Sequence, residues 1–221
     1  MNNSVNFIAE VSSNHNRNLK RCKKFIDIAS DIGCYGIKFQ LFKIEKLFHS
    51  KILKKSKKHR DRKKWELPTE FIPILSKYSR KKGLKFGCTP FYLEAVKFLK
   101  PYVDFYKIAS YELLWKKLFL ECIKTNKHII FSTGMADKNE IKKILELLKK
   151  NRFKKISILR CSSIYPTTHL DANLKSIYSL KKLIANYFPK NLIKVGWSDH
   201  FSSPAVMYRA IHRFDSKIIE F

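Results

Sequence analysis

No run of about 18 uncharged apolar residues occurs in the chain, so a membrane-spanning helix is not expected. The opening stretch, MNNSVNFIAEVSSNH, has no basic segment leading into a long apolar one, so a signal peptide is not expected either. Cysteine occurs at only five positions, 22, 34, 88, 122 and 161, an odd number with no C-x-x-C pair. That argues against a disulfide framework and points to free thiols in a reducing cytoplasm. Cys34, Cys88 and Cys161 lie in apolar segments and read as small core residues rather than metal ligands. Acidic residues are scarce, 18 against 46 Lys and Arg, for a formal net charge of +28. Such a charge draws nucleic acid or anionic substrates. The lysines fall mostly on helix-like segments, such as Lys142-Lys143 and Lys149-Lys150, where a solvated face is the plain reading. The basic run at 54–64 lacks interleaved aromatics and any nucleic-acid-binding signature, so no nucleic-acid partner is expected.

What is present is a globular chain of 221 residues, 45% hydrophobic, long enough for one α/β barrel or two small domains. Short apolar runs alternate with longer amphipathic ones. The predicted strands are Asn6–Val11, Gly36–Phe42, Leu84–Thr89, Phe105–Ala109, His128–Ser132, Lys155–Cys161, Ile193–Gly196 and Lys217–Phe221. Their continuous apolar character fits buried parallel strands. Between them, Leu19–Ile32, Glu70–Lys82, Leu93–Leu99 and Glu140–Lys150 space apolar residues three and four apart, as helices do. Gly33 and Gly83 read as helix stops. Strand–helix alternation over eight strands predicts a (β/α)8 TIM barrel, with a doubly wound open sheet as the competing architecture. Residues 49–66 show no apolar period and read as a loop or lid. The chain ends on its eighth strand, without the helix that such a barrel places after it.

Catalytic groups of such barrels stand at the C-terminal ends of strands. Those ends hold Glu10, Asn14 and His15; Lys38 and Gln40; Thr89; Lys107 and Ser110; Ser132 and Thr133; Ser162, Ser163 and Tyr165; Ser198, Asp199 and His200. The set suits an anionic, phosphorylated substrate. Lys38 and Lys107 supply point charges, and a lysine inside an apolar strand is costly unless paired. Thr89, Ser110, Ser132, Thr133 and Ser198 can donate to phosphate oxygens. Thr133-Gly134, between strand and helix, can aim backbone N–H groups the same way. Asp199-His200 reads equally as a site or as a loop cap with a surface histidine, and His15 as a site or a structural histidine. Asp171 reads as a helix N-cap, and His212 falls on a helix away from the chemistry.

These residues also form an ordered series of motifs: Ile8-Ala9-Glu10-Val11-x-x-Asn14-His15, Lys38-Phe39-Gln40, Thr89-Pro90-Phe91, Lys107-Ile108-Ala109-Ser110, Ser132-Thr133-Gly134-Met135, Cys161-Ser162-Ser163-Ile164-Tyr165-Pro166-Thr167 and Gly196-Trp197-Ser198-Asp199-His200. Together they resemble the sialic acid synthase family over essentially the whole chain. The resemblance implies one barrel domain over residues 1–221. It also implies condensation of phosphoenolpyruvate with an N-acetylated hexosamine aldehyde, N-acetylmannosamine or a diacetamido-hexose, giving a nonulosonic acid and phosphate. By motif, Lys38, Thr89, Lys107, Ser110, Ser132 and Ser198 would hold phosphoenolpyruvate, and Gln40 would line that pocket. Ser163 stands where some relatives carry Asn. Tyr165 would contact the sugar. Glu10 would handle a proton or a sugar hydroxyl. Manganese or magnesium would polarise the aldehyde, with His200 as a ligand and Asp199 orienting it or touching the acceptor. The family's Glu-x-His-Phe motif supplies a second histidine ligand. Here Glu220 and Phe221 match its first two positions and the chain ends, as it does before the small antifreeze-like domain. Impaired metal binding, and a catalytically incompetent fragment, is therefore the alternative expectation. A cytoplasmic homodimer is the family's expected state, with no membrane partner.

Overall fold

In a computed structural model, residues 4–164, 169–190, 192–201 and 203–221 are described. Eight strands appear: β1 Asn6–Glu10, β2 Gly36–Leu41, β3 Lys85–Pro90, β4 Phe105–Ile108, β5 His128–Ser132, β6 Ile156–Cys161, β7 Lys194–Ser198 and β8 Ile218–Glu220. They join in sequence order into one closed barrel, so the open-sheet alternative is excluded. β8 pairs parallel with β1, Asn6 against Ile218 and Ile8 against Glu220. The strands lie within one or two residues of the expected bounds at each end. They are legible because parallel strands covered on both faces are mostly apolar, as in the almost fully buried β2, where only Lys38 and Gln40 interrupt the run.

The helices are α1 Leu19–Asp31, α2 Ile44–Leu47, α3 Ser50–Lys55, α4 Lys57–Arg60, α5 Phe71–Lys81, α6 Leu93–Leu99, α7 Lys116–Lys124, α8 Lys138–Lys150, α9 Ser176–Ala185 and α10 Pro204–His212. By contact the chain divides into two compact units, Ala9–Lys107 and Met1–Ile8 with Ile108–Phe221.

In the unit Ala9–Lys107, β2 and β3 pair along their full length, Gly36 against Lys85 through Leu41 against Pro90. Both helix stops hold. Gly33 and Gly83 take φ of +76° and +79°, a conformation that costs glycine little. Residues 49–66 correct the sequence reading. They fold as α3, α4 and a 3-10 turn, Asp61–Trp65, rather than as a loop. These turns bury no apolar face, so no period marks them. Local bonds hold them: His49 Nδ1 accepts the Lys51 amide at 3.2 Å, and the Arg60 guanidinium donates to the carbonyls of Leu53 and Lys54.

In the other unit, α8 opens on a capping box. Asp137 Oδ1 accepts from the Glu140 amide at 2.8 Å while Glu140 Oε2 accepts from the Asp137 amide. β7 approaches β8 so closely at Gly196 that any Cβ there would overlap the Ile218 carbonyl oxygen. Asp171 is not the expected N-cap. It lies in a 3-10 turn, His169–Ala172, and α9 starts only after Lys175. All five cysteines are free and buried, among them Cys34, Cys88 and Cys161, whose apolar context implied it. No helix among the described residues is long and apolar enough to cross a membrane.

Candidate active site

Most strands carry a polar residue at or near their C-terminal end: Glu10, Gln40, Thr89, Lys107, Ser132, Ser198 and Glu220. Parallel strands place them at the end where barrels carry their chemistry. The two units contribute two sets.

The first set lies within Ala9–Lys107. Lys38 sits on β2 with only 3% of its side chain exposed, and its ammonium forms an ion pair with Glu10 Oε2 at the end of β1. The same ammonium donates to Thr89 Oγ1 at 3.3 Å, across the β2–β3 pair. Glu10 Oε1 accepts the Ser12 amide at 2.7 Å, and Gln40 Nε2 reaches Oε2 at 3.5 Å. The structure thus brings Glu10, Lys38, Gln40 and Thr89 together. Glu10 is the pairing partner that a buried lysine requires. Lys107, on β4, is also buried. Beside Thr89 on β3, opposite Phe39 in the register, Cys88 is fully buried, and burial pushes its thiol up to about 12. It is an inert packing group.

The turn after β1 is built on three non-glycine residues at positive φ: Ser12, Asn16 and Arg17. His15, inside that turn, is fully buried, and its Nδ1 accepts the Arg17 amide at 2.9 Å. Burial, with help from the Arg17 charge, holds its pKa below the usual histidine value. His15 thus bonds within its own turn, and neighbouring Asn14 is exposed.

The second set lies on the other unit. Ser132 is 2% exposed, and its hydroxyl has no hydrogen-bond partner among the described residues. A buried hydroxyl left so costs free energy that a ligand oxygen would recover. Ser110 Oγ lies 3.0 Å from Cys161 Sγ and accepts the Gly134 amide at 3.2 Å. The Thr133 amide and hydroxyl both donate to the Leu159 carbonyl. The expectation that Thr133-Gly134 aims backbone N–H groups at a phosphate is thus corrected: the β6 carbonyl of Leu159 takes the Thr133 amide, and the Ser110 hydroxyl takes that of Gly134. Ser163 Oγ is 3.9 Å from Cys161 Sγ, beside the same cluster.

Ser198 donates to Glu220 Oε2 at 2.7 Å, both side chains being buried. Sequence reasoning noted Glu220 only as part of a motif. Its pairing with Ser198, 22 residues away, needs the β7–β8 register. Asp199 Oδ1 accepts the Trp197 indole N–H at 2.8 Å, and burial raises its pKa. His200 Nδ1 lies 2.9 Å from the Ser162 carbonyl. A carbonyl only accepts, so Nδ1 carries the proton and, in the neutral ring, Nε2 carries the lone pair. This is the orientation that a ligating histidine takes. Asp199 also accepts from the backbone amides of His200 and Phe201, so it caps this turn while His200 keeps Nε2 open. Tyr165 lies outside the described residues. His212, at the end of α10, packs its ring 4.1 Å from that of Tyr208, away from this set.

Among the described residues, no three His, Cys, Asp or Glu side chains converge as a metal site. A lone imidazole falls short of the donor set that a divalent ion takes. The described residues therefore do not by themselves fit the metal.

Known proteins of the same build exist. The chain is 37% identical over 194 residues to the uncharacterised protein MJ1065 of Methanocaldococcus jannaschii, covering 87% of this chain and 54% of that protein. It is 35% identical over 206 residues to the N,N'-diacetyllegionaminic acid synthase of Campylobacter jejuni, covering 87% and 60%. The chain thus matches little more than half the length of either relative. Its fold superposes on the N-acetylneuraminic acid (sialic acid) synthetase of Leptospira borgpetersenii, solved with citrate, with a TM-score of 0.87 and 30% identity over 98% of this chain and 72% of that one. The sequence pattern of the NeuB family matches residues 25–221, and the chain belongs to that family.

Proposed function

We propose that this barrel binds phosphoenolpyruvate and joins it to the open-chain aldehyde of an N-acetylated hexosamine, giving a nonulosonic acid and phosphate. The observation that carries the reading is Lys38, a buried ammonium held between the Glu10 carboxylate and the Thr89 hydroxyl. The orphan hydroxyl of Ser132 supports it, as does the likeness to a diacetyllegionaminic acid synthase.

In this reading C3 of phosphoenolpyruvate forms the new bond to the aldehyde carbon, whose oxygen takes a proton. The C2 cation left behind adds water and loses one proton. The C2–O bond to phosphate then breaks with its electron pair leaving on phosphate, which takes up the C2 hydroxyl proton, so that a 2-oxo acid remains. Lys38 and Lys107 balance the phosphate and carboxylate charge, which lysine does as a point charge. Thr89, Ser110, Ser132 and Ser198 give hydrogen bonds, with Ser198 exchanging Glu220 for the ligand. Gln40 and Ser163 line the pocket, and Tyr165 meets the sugar. Glu10, displaced from Lys38 by the arriving anion, becomes available to a proton or to a sugar hydroxyl. Asp199 orients His200 or touches the acceptor. Were manganese or magnesium bound, His200 would offer it Nε2, and its remaining ligands would have to come from elsewhere.

The test measures phosphate release from phosphoenolpyruvate with manganese present, against N-acetylmannosamine and a diacetamido-hexose. Release that needs both substrates supports the proposal. Phosphoenolpyruvate binding without release supports the fragment alternative. Neither binding nor release would overturn the proposal.

A further inference from the structure

Arg160 stands where a hydrophobic residue is expected. Along β6 successive side chains alternate between faces, so Arg160 shares a face with Ile156 and Ile158, both buried. Its Nε donates to Ser176 Oγ on α9 at 2.8 Å, and Nη1 donates to the Cys161 carbonyl. Nη2 has no partner among the described residues. Burial lowers the Arg160 pKa from its usual value, so the site disfavours an uncompensated cation.

The guanidinium lines a cavity of about 610 Å³ at α8 and α9. Two further cations, Lys138 and Lys182, line it and are exposed at its mouth. No carboxylate lines it. The acids opening α8, Asp137 and Glu140, are committed to each other's amides in the capping box. Ser179 and Asn186 add polar groups to the wall, and the buried side chains Ile141, Leu180 and Leu183 give it an apolar floor. A partly buried cation with one open donor, two lysines and no acid lacks a counter-anion. The volume and the mixed lining are those of a small-molecule pocket.

We propose that this cavity is a second anion site. It would take a small organic phosphate monoester, its phosphate on Arg160 and its body on the apolar floor. The inference stands independently of the reaction proposed above. Because Arg160 also holds the Cys161 carbonyl, and Cys161 touches Ser110, occupancy would reach the end of β6.

Calorimetric titration of the 221-residue protein with adenosine 5′-monophosphate and with inorganic phosphate tests it. In Lys38→Met, which removes a cation at the other set, adenosine monophosphate should still bind as in the wild type. In Arg160→Met and in Lys182→Glu, it should bind at least about tenfold more weakly. Lys182 is exposed, so its variant stays informative if Arg160→Met does not fold. Inorganic phosphate should bind more weakly than the nucleotide, because it leaves the floor uncovered. No nucleotide binding to the wild type would overturn the proposal. Binding lost in Lys38→Met and unchanged in Lys182→Glu would assign the anion to the strand-end set and equally overturn it.

Discussion

Lys38 and Glu10 form an ion pair across the ends of β2 and β1, with the lysine almost wholly buried and the carboxylate 21% exposed. The two roles of the pair separate by substitution. Lys38→Met leaves a mostly buried carboxylate without its cation, for which a fully buried pair would lose several kcal/mol. Because water reaches part of Glu10, the expected loss is roughly 2 kcal/mol. Urea unfolding should show it, and Glu10→Gln in the same chain should recover part of the loss. Phosphoenolpyruvate affinity should stay more than about tenfold down in both variants.

Ser132→Ala should dissociate stability from binding in the opposite sense. The hydroxyl is buried without a partner, so its removal should leave stability unchanged or raise it by up to about 1 kcal/mol. Phosphoenolpyruvate should nevertheless bind several-fold more weakly. A variant that loses stability and keeps its affinity would mean that Ser132 is a packing residue.

His128 should govern part of the acid sensitivity. Burial, reinforced by Lys194 and Lys155, lowers its pKa to about 4. The unfolded chain takes up this proton near pH 6.5, whereas the folded chain resists it down to about 4. The contribution is therefore fully present above pH 6.5, falls as pH drops through that window, and reaches on the order of 3 kcal/mol lost near pH 4. His128→Gln should flatten the stability profile between those limits when urea unfolding is followed against pH.

Gly196→Ala should damage the barrel itself. The new Cβ would meet the Ile218 backbone oxygen, which cannot swing aside as a side chain would. A loss of roughly 3 kcal/mol is expected, read as a lower thermal midpoint. Gly33→Ala, with open space around it, should cost less and only through its positive φ.

The alternation of apolar strands with amphipathic helices was legible because each signal is local. α8 repeats its buried residues within four positions, and β2 is buried at almost every one, with Lys38 and Gln40 standing out among its apolar residues. The turns at 49–66 escaped for the converse reason: they bury no stripe, so nothing periodic marks them. Lys38 and Lys107 were legible as costly charges inside apolar runs. Arg160 sits in the same kind of run and carries the same signal, but it lies outside the family motifs.

By itself, the sequence determined the strand–helix order, the barrel class and the residues that gather at the strand ends. Only the tertiary structure decided what each polar group faces. It gave Lys38 to Glu10, Ser198 to Glu220, the Gly134 amide to Ser110, and Arg160 to a cavity at the helices instead of the strand-end set. Periodicity reports neighbours within one helical turn or along one strand. The Lys38–Thr89 and Ser110–Cys161 contacts each join residues 51 positions apart. The register between paired strands sets such contacts, and no local pattern carries that register.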